Sequence, residues 1–249
     1  MALILSLETS TTICSTALHD DRKLLSSKEL LTPQSASSQL APIIDQLLKD
    51  SKISSKEINA VAVASGPGSY TGLRIGVATA KGLCFALQIP LIAINTLELM
   101  AYQVKNSSLL SFPSPLERGL GLPAGGLSPK AGGEVLLCPM LDARRMEVYC
   151  LLTDLNLNSV EPTQAKIIDE ESFNEWLDRK TIYFFGNGAD KCKEIIKHPN
   201  ARFIEGINPS ASQLGEMAFQ KFIKNEFENL SSFEPHYLKE FLVKKPKAV

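Results

Sequence analysis

The stretch from Ser65 to Gly82, SGPGSYTGLRIGVATAKG, limits the possible folds of this chain more than any other segment. It follows a run typical of a buried strand, AVAVA at residues 60–64, so a strand, a glycine-rich turn and a helix are predicted in that order. A glycine inside a helix costs about 0.5–1 kcal/mol relative to alanine. Because small residues nevertheless recur every four positions, we infer that another backbone packs closely on this face, which carries Gly72, Gly76, Ala80 and Cys84.

The sequence leaves open which neighbour packs against this helix. One possibility is the chain's own sheet, or its own helix around Leu40, where apolar residues at i, i+3, i+4, i+7 and i+8 form one stripe. The other is a second protein, contacted through larger apolar residues such as Phe85 and a second small stripe of Ala78, Gly82 and Ala86. The residues predicted for such a partner interface are Leu40, Ile44, Tyr70, Leu73, Arg74, Gly76, Val77, Ala80 and Lys81.

The glycines do not match a known phosphate-binding motif. Gly66, Gly68 and Gly72 give the spacing GxGxxxG instead of the dinucleotide motif GxGxxG, and Leu73 stands where a P-loop has lysine. A strand-to-helix turn rich in backbone N–H groups remains compatible with a bound anion.

The patterns on either side predict an α/β layer with mixed strand pairing. Alternating or short apolar runs predict three antiparallel strands, at residues 3–7, 13–19 and 23–31. After the glycine-rich helix, one more strand is predicted at residues 90–95 and one more helix at residues 97–104. A second, smaller unit has predicted strands at residues 135–140, 146–152, 181–185 and 201–204 and helices at 170–178 and 189–197. Ser210 and Gln213 have the spacing of a capping box that opens a last helix.

Residues 105–133 are rich in glycine, proline and serine and show no helix or strand period, which predicts a flexible insertion without a catalytic role. The predicted division is a first domain of residues 1–104 plus about 208–230, the insertion, a second domain of residues 134–207, and a C-terminal tail of residues 231–249.

Charge and cysteine content indicate a cytoplasmic protein that does not bind nucleic acid by itself. The net charge of −1 lacks the basic footprint that RNA binding requires. The five scattered cysteines form neither a CxxC pair nor a metal cluster, which suits a reducing compartment. Neither a signal peptide nor a membrane span is predicted. The lysine cluster that begins at Lys239 is expected to be a solvated terminus.

Four segments carry a resemblance to a known family: LSLETSTTICSTAL, AVASGPGSYTGLRIGVATAKGL, PMLDARRMEVY and PHYLK. They resemble the TsaB family, the non-catalytic dimerisation subunit of the bacterial system that makes threonylcarbamoyladenosine in tRNA. The resemblance implies two related α/β domains of the actin-like (ASKHA/RNase H-like) fold, the second one smaller and degenerate. It also implies a catalytic partner, TsaD, held through the helices near Leu40 and Gly76, and an ATPase, TsaE. The family's frequent His-Ser-Glu run is Ala36-Ser37-Ser38 here, so a polar role for that run is not carried over.

The sequence offers no candidate catalytic or metal-binding set. His19, His198 and His236 are far apart and are expected at surfaces or turns. Ser69 lies in a glycine turn that does not match the GxSxG motif and has no histidine near it in sequence.

The first hairpin turn is the best candidate for a vestigial nucleotide site, formed by Glu8, Thr9, Ser10 and Thr11. It lacks the glycine that lets a backbone approach phosphate, as does the turn at residues 142–145. The alternative role of these residues is hydrogen bonding within the hairpin. Asp142, Arg144 and Glu147 are expected in a local ion-pair network or on the partner surface.

The sequence therefore favours an adaptor that binds and activates the catalytic subunit TsaD, has no cofactor of its own, and forms a homodimer when alone. Contact with tRNA is expected to be indirect. Two alternatives stay open: an ATP-dependent phosphotransferase of the same fold, with weak or interface-dependent binding of ATP or ADP, and a self-associating structural protein.

Overall fold

The computed structural model describes residues 1–31, 35–107 and 134–239. Most of the predicted flexible insertion, residues 108–133, lies outside the described residues, as do residues 240–249 of the predicted tail. Among the helices within those described ranges, none is both long and apolar enough to cross a membrane.

The first half of the chain forms a five-stranded mixed sheet. Its strands are β1 (Leu3–Glu8), β2 (Cys14–Asp20), β3 (Lys23–Leu30), β4 (Ala60–Gly66) and β5 (Leu91–Asn95). The spatial order is β3-β2-β1-β4-β5, with antiparallel pairing through β1, β2 and β3 and parallel pairing of β1 with β4 and of β4 with β5. Three helices connect or follow these strands, α1 (Ser35–Ser51), α2 (Tyr70–Leu87) and α3 (Thr96–Lys105).

The second sheet repeats this topology. Its strands are β6 (Val135–Asp142), β7 (Glu147–Asp154), β8 (Ser159–Ile167), β9 (Thr181–Phe185) and β10 (Ala201–Ile204), in the order β10-β9-β6-β7-β8. The pairings again run antiparallel for β6, β7 and β8 and parallel for β6 with β9 and β9 with β10. The predicted class, an α/β fold with two related units, is confirmed. The helices within the second unit are short, α4 (Asn174–Leu177) and α5 (Ala189–Cys192).

The last helix, α6 (Ala211–Ile223), returns to the first sheet. Its Leu214 and Ala218 pack with Ile4 on one face of that sheet, while α1 and α2 cover the other face. Gly215 lets α6 approach β2, because a Cβ at this position would overlap the ring of His19. The first sheet is therefore covered by helices on both faces.

Three local predictions were wrong in the second half. β8 was missed because its sequence, SVEPTQAKI, contains Pro162 and many polar residues, which an edge strand tolerates. The helix predicted at 170–178 forms only as α4, since Ser172 hydrogen-bonds Asp169 and Phe173 has a positive φ. The helix predicted at 189–197 ends at Cys192, and the chain continues in turns at residues 193–195.

The predicted capping box of α6 is also wrong in detail. The hydroxyl of Ser210 accepts a hydrogen bond from the backbone N–H of Ser212, not from that of Gln213. The Gln213 side chain instead accepts from the Ser212 hydroxyl, so the reciprocal pair of a capping box does not form.

Candidate docking face and the two hairpin turns

The glycines of α2 pack against the chain's own first hairpin. A Cβ at Gly72 would overlap the Thr9 carbonyl, and a Cβ at Gly76 would overlap the Thr9 hydroxyl. That hydroxyl donates to the Gly72 carbonyl at 2.8 Å, and Ser69 N donates to the Ser10 carbonyl at 2.6 Å. The sequence left open whether this stripe packs within the chain or on a second protein. At Gly72 and Gly76 it packs within the chain, against the turn between β1 and β2 of the first sheet.

Six residues predicted for a partner interface are buried in the core of the first sheet. They are Leu40, Ile44, Leu73, Gly76, Val77 and Ala80. Their side chains or backbone pack inside this chain, so they do not form its exposed surface. They fix the positions of α1 and α2, and any contact with a partner falls to exposed neighbours on the same helices.

The exposed side of α2 carries the second small stripe. Arg74, Ala78, Gly82, Phe85 and Ala86 are exposed, and we call this set the docking face. Phe85 is 70% exposed, and a Cβ at Gly82 would meet no atom within 4 Å. The surface therefore combines a flat strip of small residues with one protruding aromatic ring, and Arg74 supplies its one charge.

A segment after α6 runs along α2 and was not predicted to be fixed. Lys81 Nζ donates to the Phe233 carbonyl at 2.9 Å, and His236 N donates to the Ser65 carbonyl at 2.7 Å. Lys239, expected at a solvated terminus, instead forms an ion pair with Glu147 of β7. We call residues 229–239 the strap, because they connect α2 of the first sheet with a strand of the second.

The strap also brings an aromatic ring to the start of α2. The rings of Tyr70 and Tyr237 have centroids 4.8 Å apart. Arg74 lies one helical turn after Tyr70, with its guanidinium carbon 5.5 Å from the Tyr70 ring centroid and Nη1 donating to the Tyr70 hydroxyl at 3.3 Å. Of the predicted interface residues, Tyr70, Arg74 and Lys81 thus remain at or near the surface.

The first hairpin turn uses several of its polar groups in hydrogen bonds within the chain. Glu8 is fully buried and accepts a hydrogen bond from Ser10 N at 2.5 Å, and burial raises the pKa of its carboxyl to about 7. Thr9 bonds Gly72, as described above, and the Thr11 hydroxyl accepts from Ile13 N at 3.2 Å. Glu8 and Thr11 thus accept hydrogen bonds within the hairpin and Thr9 bonds α2, whereas Glu8 Oε2 and Ser10 Oγ are buried without a hydrogen-bond partner among the described residues.

The second hairpin turn is filled by a lysine. Lys191 of α5 donates to the carbonyls of Arg145 at 2.6 Å and Glu147 at 2.7 Å, and it forms an ion pair with Asp142. The expected ion-pair network of Asp142, Arg144 and Glu147 forms only in part: Asp142 pairs with Lys191 and Glu147 with Lys239, as two separate pairs. Arg144 contributes its backbone N–H, which donates to Asp142 Oδ1 at 3.0 Å.

The three histidines lie in different parts of the fold. His19 is buried beneath α6, with Nε2 2.9 Å from the Ser212 carbonyl oxygen, and burial lowers the pKa of its imidazole. The expectation that it lies at a surface or turn was wrong. His198 lies near Asp178 and His236 is in the strap. Within the described ranges, no group of three or more potential ligands is placed to hold a metal ion.

Comparisons with known proteins agree with the resemblance of the motifs. A family model described as TsaD, tRNA N6-adenosine threonylcarbamoyltransferase, matches residues 30–116. The tRNA threonylcarbamoyladenosine biosynthesis protein TsaB of Escherichia coli (strain K12) is 28% identical over 243 residues, covering 95% of this chain and 94% of the relative. The protein of the same name from Bacillus subtilis (strain 168) is 26% identical over 249 residues, covering 95% and 93%.

The solved structure of YeaZ from Pseudomonas aeruginosa has a TM-score of 0.73 at 23% identity, covering 96% of this chain and 100% of that one. At this identity the likeness shows the fold. Together with the two curated relatives, it confirms the resemblance that the sequence motifs predicted.

Proposed function

We propose that this chain, a TsaB/YeaZ-like protein, takes part in the biosynthesis of threonylcarbamoyladenosine in tRNA as a non-catalytic subunit. In this role it binds a TsaD-like catalytic subunit through the docking face and holds that subunit in an active arrangement. A TsaE-like ATPase would act with the two, and tRNA would contact the catalytic subunit.

The docking face is the observation that carries this proposal. Small residues at Ala78, Gly82 and Ala86 leave the α2 backbone open to close approach by a partner helix, and Phe85 protrudes beside them. Phe85 and Arg74 belong to residue types that are enriched in protein interfaces. An exposed phenylalanine on a helix that otherwise packs well has no role in this chain's own core.

The region matched by the TsaD model favours a partner with a similar surface. Residues 30–116 include the segments of α1 and α2, so a TsaD-like subunit is expected to carry two helices of related arrangement. Two similar surfaces can meet about an approximate two-fold axis. The same argument predicts that the isolated chain forms a homodimer through this face, which the catalytic subunit would replace.

The two hairpin turns support a role without phosphotransfer. A phosphate needs free hydrogen-bond donors, yet Ser69 N already donates to the Ser10 carbonyl, and in the turn at residues 142–145 the Arg145 carbonyl accepts from Lys191. Titration calorimetry with ATP and magnesium tests this point. If the chain is an adaptor, we expect no saturable heat of binding. Micromolar binding of ATP with turnover would instead favour a phosphotransferase.

The docking face is tested by adding bulk where the structure has space. Gly82→Phe should abolish binding to the TsaD-like subunit and lower threonylcarbamoyl transfer in a reconstituted mixture, while the free chain keeps its fold. Ser27→Phe is the matched control, because it adds the same ring at an exposed position of β3. Full binding and full activity with Gly82→Phe would refute the proposal.

A further inference from the structure

Arg74 is the exposed cation of the docking face. The charged residues of α2 are Arg74 and Lys81, and the Lys81 ammonium is directed to backbone carbonyls of the strap. Among the residues that the structure describes, Arg74 makes no ion pair. A guanidinium has five N–H donors, and the hydrogen bond to the Tyr70 hydroxyl uses one of them.

Two tyrosines restrict where this guanidinium can go. The Tyr70 ring lies 5.5 Å from the guanidinium carbon, and Tyr237 packs against Tyr70 with ring centroids 4.8 Å apart. Tyr237 is itself placed by the strap, through the bond of His236 N to Ser65 and the ion pair of Lys239 with Glu147. An arginine ordered in this way loses less conformational entropy on binding than a freely mobile one.

The surroundings of Arg74 favour a protein carboxylate over an RNA phosphate. Binding to RNA relies on several cations that contact successive phosphates, whereas the neighbouring exposed residues here are Ala78, Gly82 and Phe85. The chain also has a net charge of −1. A single ordered arginine at the edge of an apolar strip is typical of a hot spot in a protein interface, where it forms a bidentate pair with an acidic side chain.

We propose that Arg74 is the polar anchor of the docking face and pairs with an aspartate or glutamate of the TsaD-like subunit. Tyr70 and Tyr237 are its positioning residues. This role of Arg74 rests on the proposed function. It adds that the partner group is a carboxylate and that the strap, through Tyr237, helps to position Arg74.

Titration calorimetry of the full chain with the TsaD-like subunit of the same organism tests the anchor. Arg74→Gln should weaken binding by at least about tenfold and reduce the dependence of affinity on salt concentration. Arg74→Lys should also weaken binding, since it keeps the charge and loses the planar fork. The matched control is Arg179→Gln, which removes an exposed arginine after α4 and should bind as the wild type does.

A double-mutant cycle separates positioning from contact. Tyr237→Ala should weaken binding in the wild-type background and have little further effect in Arg74→Gln, because both changes remove the same interaction. Equal losses in both backgrounds would show that Tyr237 acts independently of Arg74 and would overturn its positioning role.

The possible outcomes distinguish the anchor from the docking face. Loss of binding with Gly82→Phe but wild-type affinity with Arg74→Gln would overturn the anchor and leave the proposed function intact. Wild-type affinity with both variants would refute both. A loss confined to binding of tRNA alone, measured by filter binding, would assign Arg74 to phosphate recognition and overturn the pairing with a carboxylate.

Discussion

The hydroxyl of Thr9 donates to the carbonyl of Gly72 at 2.8 Å, and this bond joins the first hairpin turn to the first turn of α2. The contact requires glycine at positions 72 and 76, because a methyl group at either would overlap Thr9. The stripe of small residues on this side is therefore explained by packing within the chain.

Gly76→Ala and Gly82→Ala should change stability in opposite directions. The first places a methyl group against the Thr9 hydroxyl, and overpacking of this kind costs about 1–3 kcal/mol. The second adds a methyl group in open space and should stabilise the helix by about 0.5–1 kcal/mol. Urea unfolding measures both free energies, and equal stability of the two variants would contradict the packing described here.

Glu8→Gln should stabilise the protein above neutral pH. The carboxyl has a pKa of about 7 when folded against 4.5 for an ordinary glutamate, so the unfolded chain releases this proton first and stability falls as pH rises from 4.5 to 7. Above that window the difference approaches about 3 kcal/mol. The amide oxygen of glutamine can still accept from Ser10 N.

Chemical unfolding at pH 5 and pH 8 checks this prediction. The stabilities of wild type and Glu8→Gln should be similar at the lower pH and diverge at the higher one. A variant that is less stable than the wild type at both values would show that the ionised carboxylate contributes favourably to the fold.

His19 should make the docking of α6 sensitive to acid. Burial lowers the pKa of this imidazole, so below pH 6.5 the unfolded chain takes up a proton that the folded chain resists, and stability falls as pH drops. His19→Phe removes this dependence while keeping a ring beside Gly215. Thermal melts at pH 6.5 and below measure the effect. Gly215→Ala serves for comparison, because it should be destabilised at every pH.

Lys81→Met should release the strap from α2. The ammonium of Lys81 holds the carbonyls of Ser231 and Phe233, and methionine cannot donate to them. Limited proteolysis should cut faster within residues 229–239 of this variant than in the wild type. Lys49→Met is the matched control, because Lys49 is exposed on α1 and its ion pair among the described residues is with the nearby Asp45 of the same helix. Equal cleavage rates in all three proteins would show that other contacts hold the strap.

The sequence predicted the first sheet and α2 well, because alternation and helical period are local signals. It also showed that a backbone approaches α2. The sequence did not show which of the two small-residue stripes of α2 is buried and which is exposed. Gly76 and Gly82 are equally small, and only the tertiary fold decides which of them faces Thr9. Six of the nine residues predicted for a partner interface are therefore buried in this chain, and the exposed side of α2 carries other small residues.

The position of the strap and the lysine in the second turn could not be predicted from the sequence. Both depend mainly on hydrogen bonds from a lysine ammonium group to backbone carbonyls. Lys81 and Lys191 bind the carbonyls of distant segments, and the identity of the accepting residue leaves no mark in the sequence. The motif PHYLK has no helix or strand period that would indicate where the segment lies.

The two halves share one sheet topology but have helices of unequal length, which bears on the number of partner proteins that the molecule could bind. The first sheet carries two helices of 17 and 18 residues on one face, whereas the short helices α4 and α5 of the second unit have four residues each. A protein with adhesive surfaces on both halves would polymerise head to tail into filaments. Under the proposed function, a docking face on the first half alone would stop association at a pair.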